Sequence, residues 1–339
     1  MKSRKRHRLA ASATPWDRIN GVDLTPAQAL VAASHRSVYE FKHESFEGDV
    51  EFFNGFSRKM CPFCESEHLA RFGSDRSGIQ RYRCVECTKT FTPMTNTIFE
   101  DRKLPLSAWV DFLIQLFSFE STNAMTRENR RSDTTIPYWI GKVFAVLDGI
   151  QDGLVLKGRV QIDETFYSVA AKDAMTVDGK LLRGLSRNKI CIAVGCDDTG
   201  HSYFAREGFG KPSIASTLKV FEPHIKRGSL LIHDMERAHR KLVDELELRE
   251  EVHNSKSISK LDDAENPLGD VNRLCYLLKS FLNSHSGFDR DDLDGYLDLF
   301  SVMMNPPANK MEKVVLVLNR AMDNPKTLRF RDFYNVKPS

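Results

Sequence analysis

With 339 residues, 41% of them hydrophobic and 28% charged, the chain has the composition of a soluble globular protein and length for two or three domains. No run approaches the roughly 20 apolar residues that span a bilayer, and Pro15, Trp16, Asp17 and Arg18 stop the first apolar stretch short of a signal peptide. A net charge of +3 does not by itself demand a polyanionic partner, so local distribution has to decide.

Residues 1–55 are of mixed character and unknown role. Lys2, Arg4, Lys5, Arg6 and Arg8 form a short basic arm, read as a solvated tail with DNA tracking as the alternative. Pro26 to Ala33 is a candidate helix after Thr25.

Residues 56–100 hold Cys61-Pro-Phe-Cys64 and Cys84-Val-Glu-Cys87, two pairs 19 residues apart. Two such knuckles can face each other and close a tetrahedron of thiolates around Zn²⁺, with an iron–sulfur or redox pair as the alternative. Four thiolates leave no open position, so the expected role is structural, and metal binding supplies most of the folding energy of so small a unit. Phe63, Tyr82 and Phe91 are its candidate packing. Arg71, Arg76, Arg81, Arg83 and Lys89 cluster around the cysteines as a candidate DNA-contacting face. The remaining cysteines, Cys191, Cys196 and Cys275, stand singly in apolar surroundings, which fits a reducing compartment better than a disulfide framework.

Residues 101–150 read as helical. Trp109, Phe112, Leu113, Leu116 and Phe117 recur at helical spacing, Ser121 can cap a second helix running toward Asn129, and Arg130 to Asp133 form a polar turn. A third helix, with Thr135 as candidate cap, places Ile140, Val143, Phe144 and Leu147 on one face. The outline is that of a helix-turn-helix DNA-binding unit, with Arg130 and Arg131 at its turn; three helices that merely connect domains are the alternative.

From residue 157 to 305 the pattern is β-rich and then alternating. Val160–Tyr167, Lys189–Val194 and Ser202–Ala205 are expected strands, with Asp197 to Gly200 as a hairpin turn. An amphipathic helix over Ser213–Ile225, a strand over Ser229–His233, a helix from Arg240 to Leu248 and a short strand at Val252 follow. Three antiparallel strands, helix, strand, helix, strand, helix is the element order of an RNase H-like α/β fold. Residues 306–339 are read as a C-terminal tail.

Two carboxylates stand out. Asp163 lies mid-strand in an apolar run and Asp234 follows the strand ending at His233, positions where a carboxylate is costly unless paired with a cation. If the first and fourth strands are neighbours, both converge at one sheet edge and can hold two Mg²⁺ (or Mn²⁺) ions about 3.5–4 Å apart. A later helix, capped by Asn266 and Pro267, carries Leu268, Val271, Leu274, Cys275, Leu278 and Leu282 as its buried stripe, with Asn272 and Lys279 on one face at the stripe's edge.

At these residues the chain resembles the zinc-ribbon insertion-sequence transposases of the Asp-Asp-(Asn/Glu)-Lys group, members of the DDE superfamily related to the Merlin elements. The stretches that carry the resemblance include Cys61 to Cys64, Arg81 to Cys87, Phe91 to Leu106, Gln161 to Phe166 and Arg183 to Ser186. His233 to His239, Val252 to Asn254, Asn272 with Lys279, Tyr296 to Phe300 and Asn305 complete them. The resemblance implies that Asp163 and Asp234 bind the catalytic metal, that Asn272 and Lys279 complete the catalytic set, and that Glu164 and His239 match family positions. Met235 stands where relatives have glycine, and the segment from Gly269 to Arg273 departs from the pattern, which leaves the third ligand open between Asn272, Glu265 and Asp270.

It further implies a transposase that cuts at element ends and joins the freed 3′-hydroxyl to target DNA. Terminal inverted repeats and target DNA would be its partners, a homo-oligomer its working form, and the bacterial nucleoid (or a eukaryotic nucleus) its location. An RNase H-like nuclease without strand joining and a catalytically silent DNA-binding protein derived from a transposon are the alternatives.

Overall fold

The computed structural model describes residues 46, 48–262 and 265–335. The basic arm and the candidate helix at Pro26–Ala33 lie outside them.

A short helix, α1 (Asp49–Asn54), drives Phe53 into the core and holds Asp49 against Arg102 at 2.6 Å. The cysteine region forms a three-stranded sheet of β1 (Leu69–Ser74), β2 (Gln80–Cys84) and β3 (Thr90–Phe91). Three helices follow: α2 (Leu106–Leu116), α3 (Thr122–Glu128) and α4 (Thr135–Leu147). Ser121 caps α3 by accepting from the Ala124 N–H, as its sequence position predicts. Thr134, not Thr135, occupies the N-cap of α4, and its side chain makes no cap bond.

A mixed five-stranded sheet comes next. β4 (Arg159–Ser168), β7 (Lys189–Asp197) and β8 (Ser202–Phe209) run antiparallel, while β9 (Leu230–Asp234) lies parallel to β4 and β10 (Arg249–His253) parallel to β9. The order across the sheet is β10-β9-β4-β7-β8, with a small β5–β6 hairpin (Thr176–Val177, Lys180–Leu181) set between β4 and β7 in the chain. The five strands of the large sheet overlap the expected ones, with β7 and β8 running further, to Asp197 and Phe209; the β5–β6 hairpin has no counterpart in the expected strands.

Side-chain alternation divides the two faces. Val160, Ile162, Ala193 and Leu231 pack with Phe221 of α5 (Ile214–Phe221) and Leu242 of α6 (Arg240–Glu245). On the opposite face Ile192, Val194, Phe204 and Ile232 pack with Val271, Leu278 and Leu282 of α8 (Gly269–Ser284) and with Leu297 and Phe300 of α9 (Leu293–Met304). A four-residue helix, α7 (Ser255–Ile258), follows β10. α8 begins at Gly269 rather than at Pro267, and the Asn266 carboxamide accepts from the Leu268 N–H ahead of the helix instead of capping it.

The region after residue 305 is not a tail. α10 (Lys310–Asp323) buries Val314, Val317, Leu318, Ala321 and Met322, and α11 (Phe330–Asn335) packs on α4. Lys313 donates to the carbonyls of Val302, Met303 and Asn305, so a buried ammonium closes the end of α9.

The helix-turn-helix reading of residues 101–150 needs correction. α4 is enclosed by α3, α9, α10 and α11, with Trp139, Ile140, Val143, Val146 and Leu147 buried. Trp139 stacks on Trp109 of α2 with ring centroids 4.4 Å apart. A helix surrounded in this way has no face left to enter a major groove. One hydrophobic cluster runs from Phe53 through α2 and α4 into β7, α8, α9 and α10, so this region shares the core of the large sheet.

Candidate active site

Asp163 is in the middle of β4 and Asp234 is the last residue of β9. The parallel register pairs Arg159 with Leu230, Val160 with Leu231 and Gln161 with Ile232. Carried two residues further, it sets Asp163 beside Asp234, both on the face covered by α8, where the two strands part. Asp163 accepts from the Glu164 N–H at 2.8 Å; Asp234 accepts from the Glu236 N–H at 2.9 Å and from Ser255 Oγ at 3.1 Å. Among the described residues neither carboxylate has an ion pair. Burial, with the charges of Glu164 and Asp234 adding to it, raises Asp163 from an ordinary value of 3.8 to about 7. Two carboxylates crowded at one sheet edge, neither of them ion-paired among the described residues, have the donor chemistry of a hard divalent cation site.

α8 is fixed across this edge by Gln161, whose carboxamide accepts from Val271 N–H and donates to Asp270, both at 3.1 Å. Cys275, on the buried stripe of α8, feels both Asp163 and Lys279: burial drives its thiol far up, Asp163 adds to this and Lys279 opposes it. Lys279 is exposed one turn beyond Cys275 on α8. Asn272 is exposed on the same side of α8, three residues before Cys275. Of the other candidate ligands, Asp270 is held by Gln161 two residues along β4 from Asp163, and Glu265 is exposed ahead of α8.

The opposite face of the same strand ends carries a polar chain centred on the buried His233 and His239 and ending at the exposed Glu250. Glu164 meets His239 Nε2 at 2.9 Å, His239 Nδ1 meets His233 Nδ1 at 2.8 Å, and His233 Nε2 meets Glu250 at 3.0 Å. Both outer nitrogens face carboxylates and so donate, while the central pair needs one proton between them. Three protons on two imidazoles make one positive charge shared by the pair. Burial would lower His239, but the bond and charge of Glu164 outweigh it and raise it; burial and His239 together lower His233. Sequence reading placed Glu164 and His239 only by resemblance and did not connect them to His233 and Glu250, because contacts across a turn leave no periodic signal. Gln161 was not singled out either, although its place two residues before Asp163, as a polar residue in an apolar strand, is a signal.

In the cysteine region the four Sγ atoms of Cys61, Cys64, Cys84 and Cys87 lie within 4.8 Å of one another, with Cys61–Cys87 and Cys64–Cys84 both at 3.6 Å. Bonds of ~2.3 Å to a tetrahedral zinc put sulfurs roughly 3.8 Å apart, so the residues fit that ion. The two knuckles match: each pair is followed by a left-handed residue, Glu65 (φ 61°) or Thr88 (φ 59°). The Cys87 backbone N–H draws the Cys84 thiol down to about 7.

On β2, Tyr82 and Cys84 point inward and Arg81 and Arg83 outward. Both guanidinium groups sit over the exposed ring of Phe72, at 5.4 and 5.6 Å from its centroid. Arg130 is exposed in the α3–α4 turn with φ 51°, whereas Arg131 is half-buried there.

No protein-family model matches the chain. It is similar, at 26% identity over 76% of its length and 90% of the relative's, to an uncharacterized protein in transposable element ISH50 of Halobacterium salinarum. Two solved structures also match. The Mos1 strand transfer complex has 12% identity, 66% coverage of this chain and 78% of that one, and a TM-score of 0.29. A pre-cleavage Mos1 transpososome has 9%, 65%, 78% and 0.20. Likeness that loose establishes neither a shared fold nor a shared chemistry. No helix among the described residues is long and apolar enough to cross a membrane.

Proposed function

We propose that this protein is a DNA transposase of the Asp-Asp-(Asn/Glu)-Lys insertion-sequence group, with an RNase H-like catalytic domain and a zinc ribbon. The observation that carries the reading is the pairing of β4 with β9, which sets Asp163 and Asp234 side by side with α8 across from them. Similarity to a protein of a transposable element supports the same reading.

Asp163 and Asp234 would hold Mg²⁺ or Mn²⁺. When bound, a divalent pair activates the attacking water or 3′-hydroxyl and stabilises the leaving oxygen in an in-line displacement at phosphorus. The chain's own groups orient the reactants. Ser255 and the Glu236 N–H fix the Asp234 carboxylate, and Gln161 fixes α8. Lys279 would neutralise a phosphate oxygen and Asn272 would contact the metal or the scissile phosphate, with Asp270 and Glu265 as the acidic alternatives to Asn272. Cys61, Cys64, Cys84 and Cys87 would hold a structural Zn²⁺ that stiffens β1–β3. Arg81 and Arg83, interleaved with Phe72, then present cations to double-stranded DNA at the inverted repeats. Arg130 is a further backbone contact, and the half-buried Arg131 contributes less. Two DNA ends have to be cut together, which calls for a homo-oligomer working at the nucleoid of a bacterium or in a nucleus.

The test incubates the protein with Mg²⁺, DNA carrying the element's ends and a supercoiled target plasmid. The expected products are nicked ends and donor–target joints, with Asp163→Ala and Asp234→Ala each lowering both by at least 10³-fold, an order-of-magnitude expectation for loss of a metal ligand. Nicks without joints would leave a plain nuclease. DNA binding that both variants preserve, with no cleavage by the unaltered chain, would leave a silent binder.

A further inference from the structure

A cleft of about 670 Å³ opens where the Ile98–Leu104 segment leaves the cysteine module, between α2, α4 and the residues entering α11. It lies apart from the aspartate edge, and nothing in the reaction above uses it. We propose that this cleft is a second nucleic-acid site, which takes an unpaired nucleotide of a DNA strand by its phosphate and its base.

Lys142 carries the proposal. It is only 7% exposed, and among the described residues its ammonium has one hydrogen-bond acceptor, the Ile98 carbonyl at 2.5 Å. An ammonium has three donors, and a lysine this buried is rare without a partner. What surrounds it otherwise is aromatic: the Tyr138 ring centroid lies 4.8 Å away and that of Trp109 6.0 Å. Burial pulls Lys142 down to about 8, against the opposing pull of Asp101 and Glu100, and an arriving phosphate would relieve that penalty.

The walls suit a base. Tyr138 is fixed by its hydroxyl, which donates to the Leu328 carbonyl at 2.6 Å, and Phe330 meets it edge-on at 5.2 Å while remaining 49% exposed. Lys103 and Arg329 add cations at the rim; Glu100 and Asp101 oppose them, while Arg102 is already neutralised by Asp49 and Arg331 is paired with Asp332 at 3.5 Å. Cations outnumber carboxylates, and the volume is that of a single small ligand, not of a duplex. Aromatic faces beside cations hold unpaired bases with little sequence preference.

The inference rests on the reading of the chain as a DNA-processing protein, but its test scores binding alone, so absent cleavage or joining would not mimic its failure. The full chain is titrated, with Ca²⁺ in place of Mg²⁺, against a labelled blunt duplex and the same duplex bearing a short unpaired oligothymidylate tail. The tail is expected to tighten binding about ten-fold. Lys142→Met and Phe330→Ala should each abolish that gain and leave blunt-duplex affinity in place. Phe330 is exposed enough that its variant keeps the fold even where the lysine variant does not. Equal affinity for the two DNAs, or a tail preference that survives in Phe330→Ala, overturns the proposal.

Discussion

Asp163 is where the electrostatics of the sheet edge concentrate, because burial, Glu164 and Asp234 all oppose its ionisation. Below pH 3.8 the side chain is protonated in both folded and unfolded chains and costs nothing. As the pH climbs toward 7 the unfolded chain ionises first, so stability falls; above about 7 the penalty, on the order of 4 kcal/mol, is complete. Without added divalent cation, Asp163→Asn should therefore be more stable than the unaltered protein at pH 8 and nearly equal to it at about pH 3, well below both pKa values. Urea unfolding at the two pH values measures this, and Mg²⁺ should narrow the gap at pH 8 by stabilising the unaltered chain more than the variant. An equal difference at both pH values would mean that Asp163 carries no such burden. This residue was legible in the sequence as a carboxylate out of place in an apolar strand. Its partner chain of Glu164, His239, His233 and Glu250 was not, since what joins those four is the crossing of β4, β9 and β10 rather than any spacing.

At the scale of elements, strands and knuckles were readable and enclosure was not. The alternation of Val160, Ile162 and Phe166 around Asp163 specifies β4, and the two Cys-x-x-Cys pairs specify the facing turns at Glu65 and Thr88. The periodicity of α4 says only that one face is apolar. That α9, α10 and α11 cover its remaining sides follows from chain segments that begin about 145 residues further on, and this removed the groove-reading helix. The cysteines give the element-scale prediction. With metal bound, a thiol reagent should find little to react with; a zinc chelator should release four reactive thiols from β1–β3. Cys191, Cys196 and Cys275 should stay silent until denaturant is added, since all three are buried and burial pushes Cys196 to about 12. Seven thiols reacting together, or none after chelation, would contradict a metal held by that module alone.

For the molecule as a whole, one core joins α1, the helices before the sheet, the face of the sheet under α8, and α10. The chain is thus less a string of separable modules than its sequence suggests, with the cysteine sheet keeping a small cluster of its own. Lys313 shows how the C-terminal region is tied in: its ammonium ends α9, so what reads as a tail is part of the frame behind the aspartates. That frame holds two acidic side chains from strands some 70 residues apart on one face, and the proposed chemistry depends on their sharing a divalent cation. Fe²⁺ substituted for Mg²⁺, with ascorbate and peroxide, reports this directly, because radicals formed at the bound iron cut the polypeptide beside it. The account predicts backbone cuts next to Asp163 and Asp234 that are lost together in Asp163→Asn and together in Asp234→Asn. Cuts confined to one strand, or unchanged by either substitution, would contradict it.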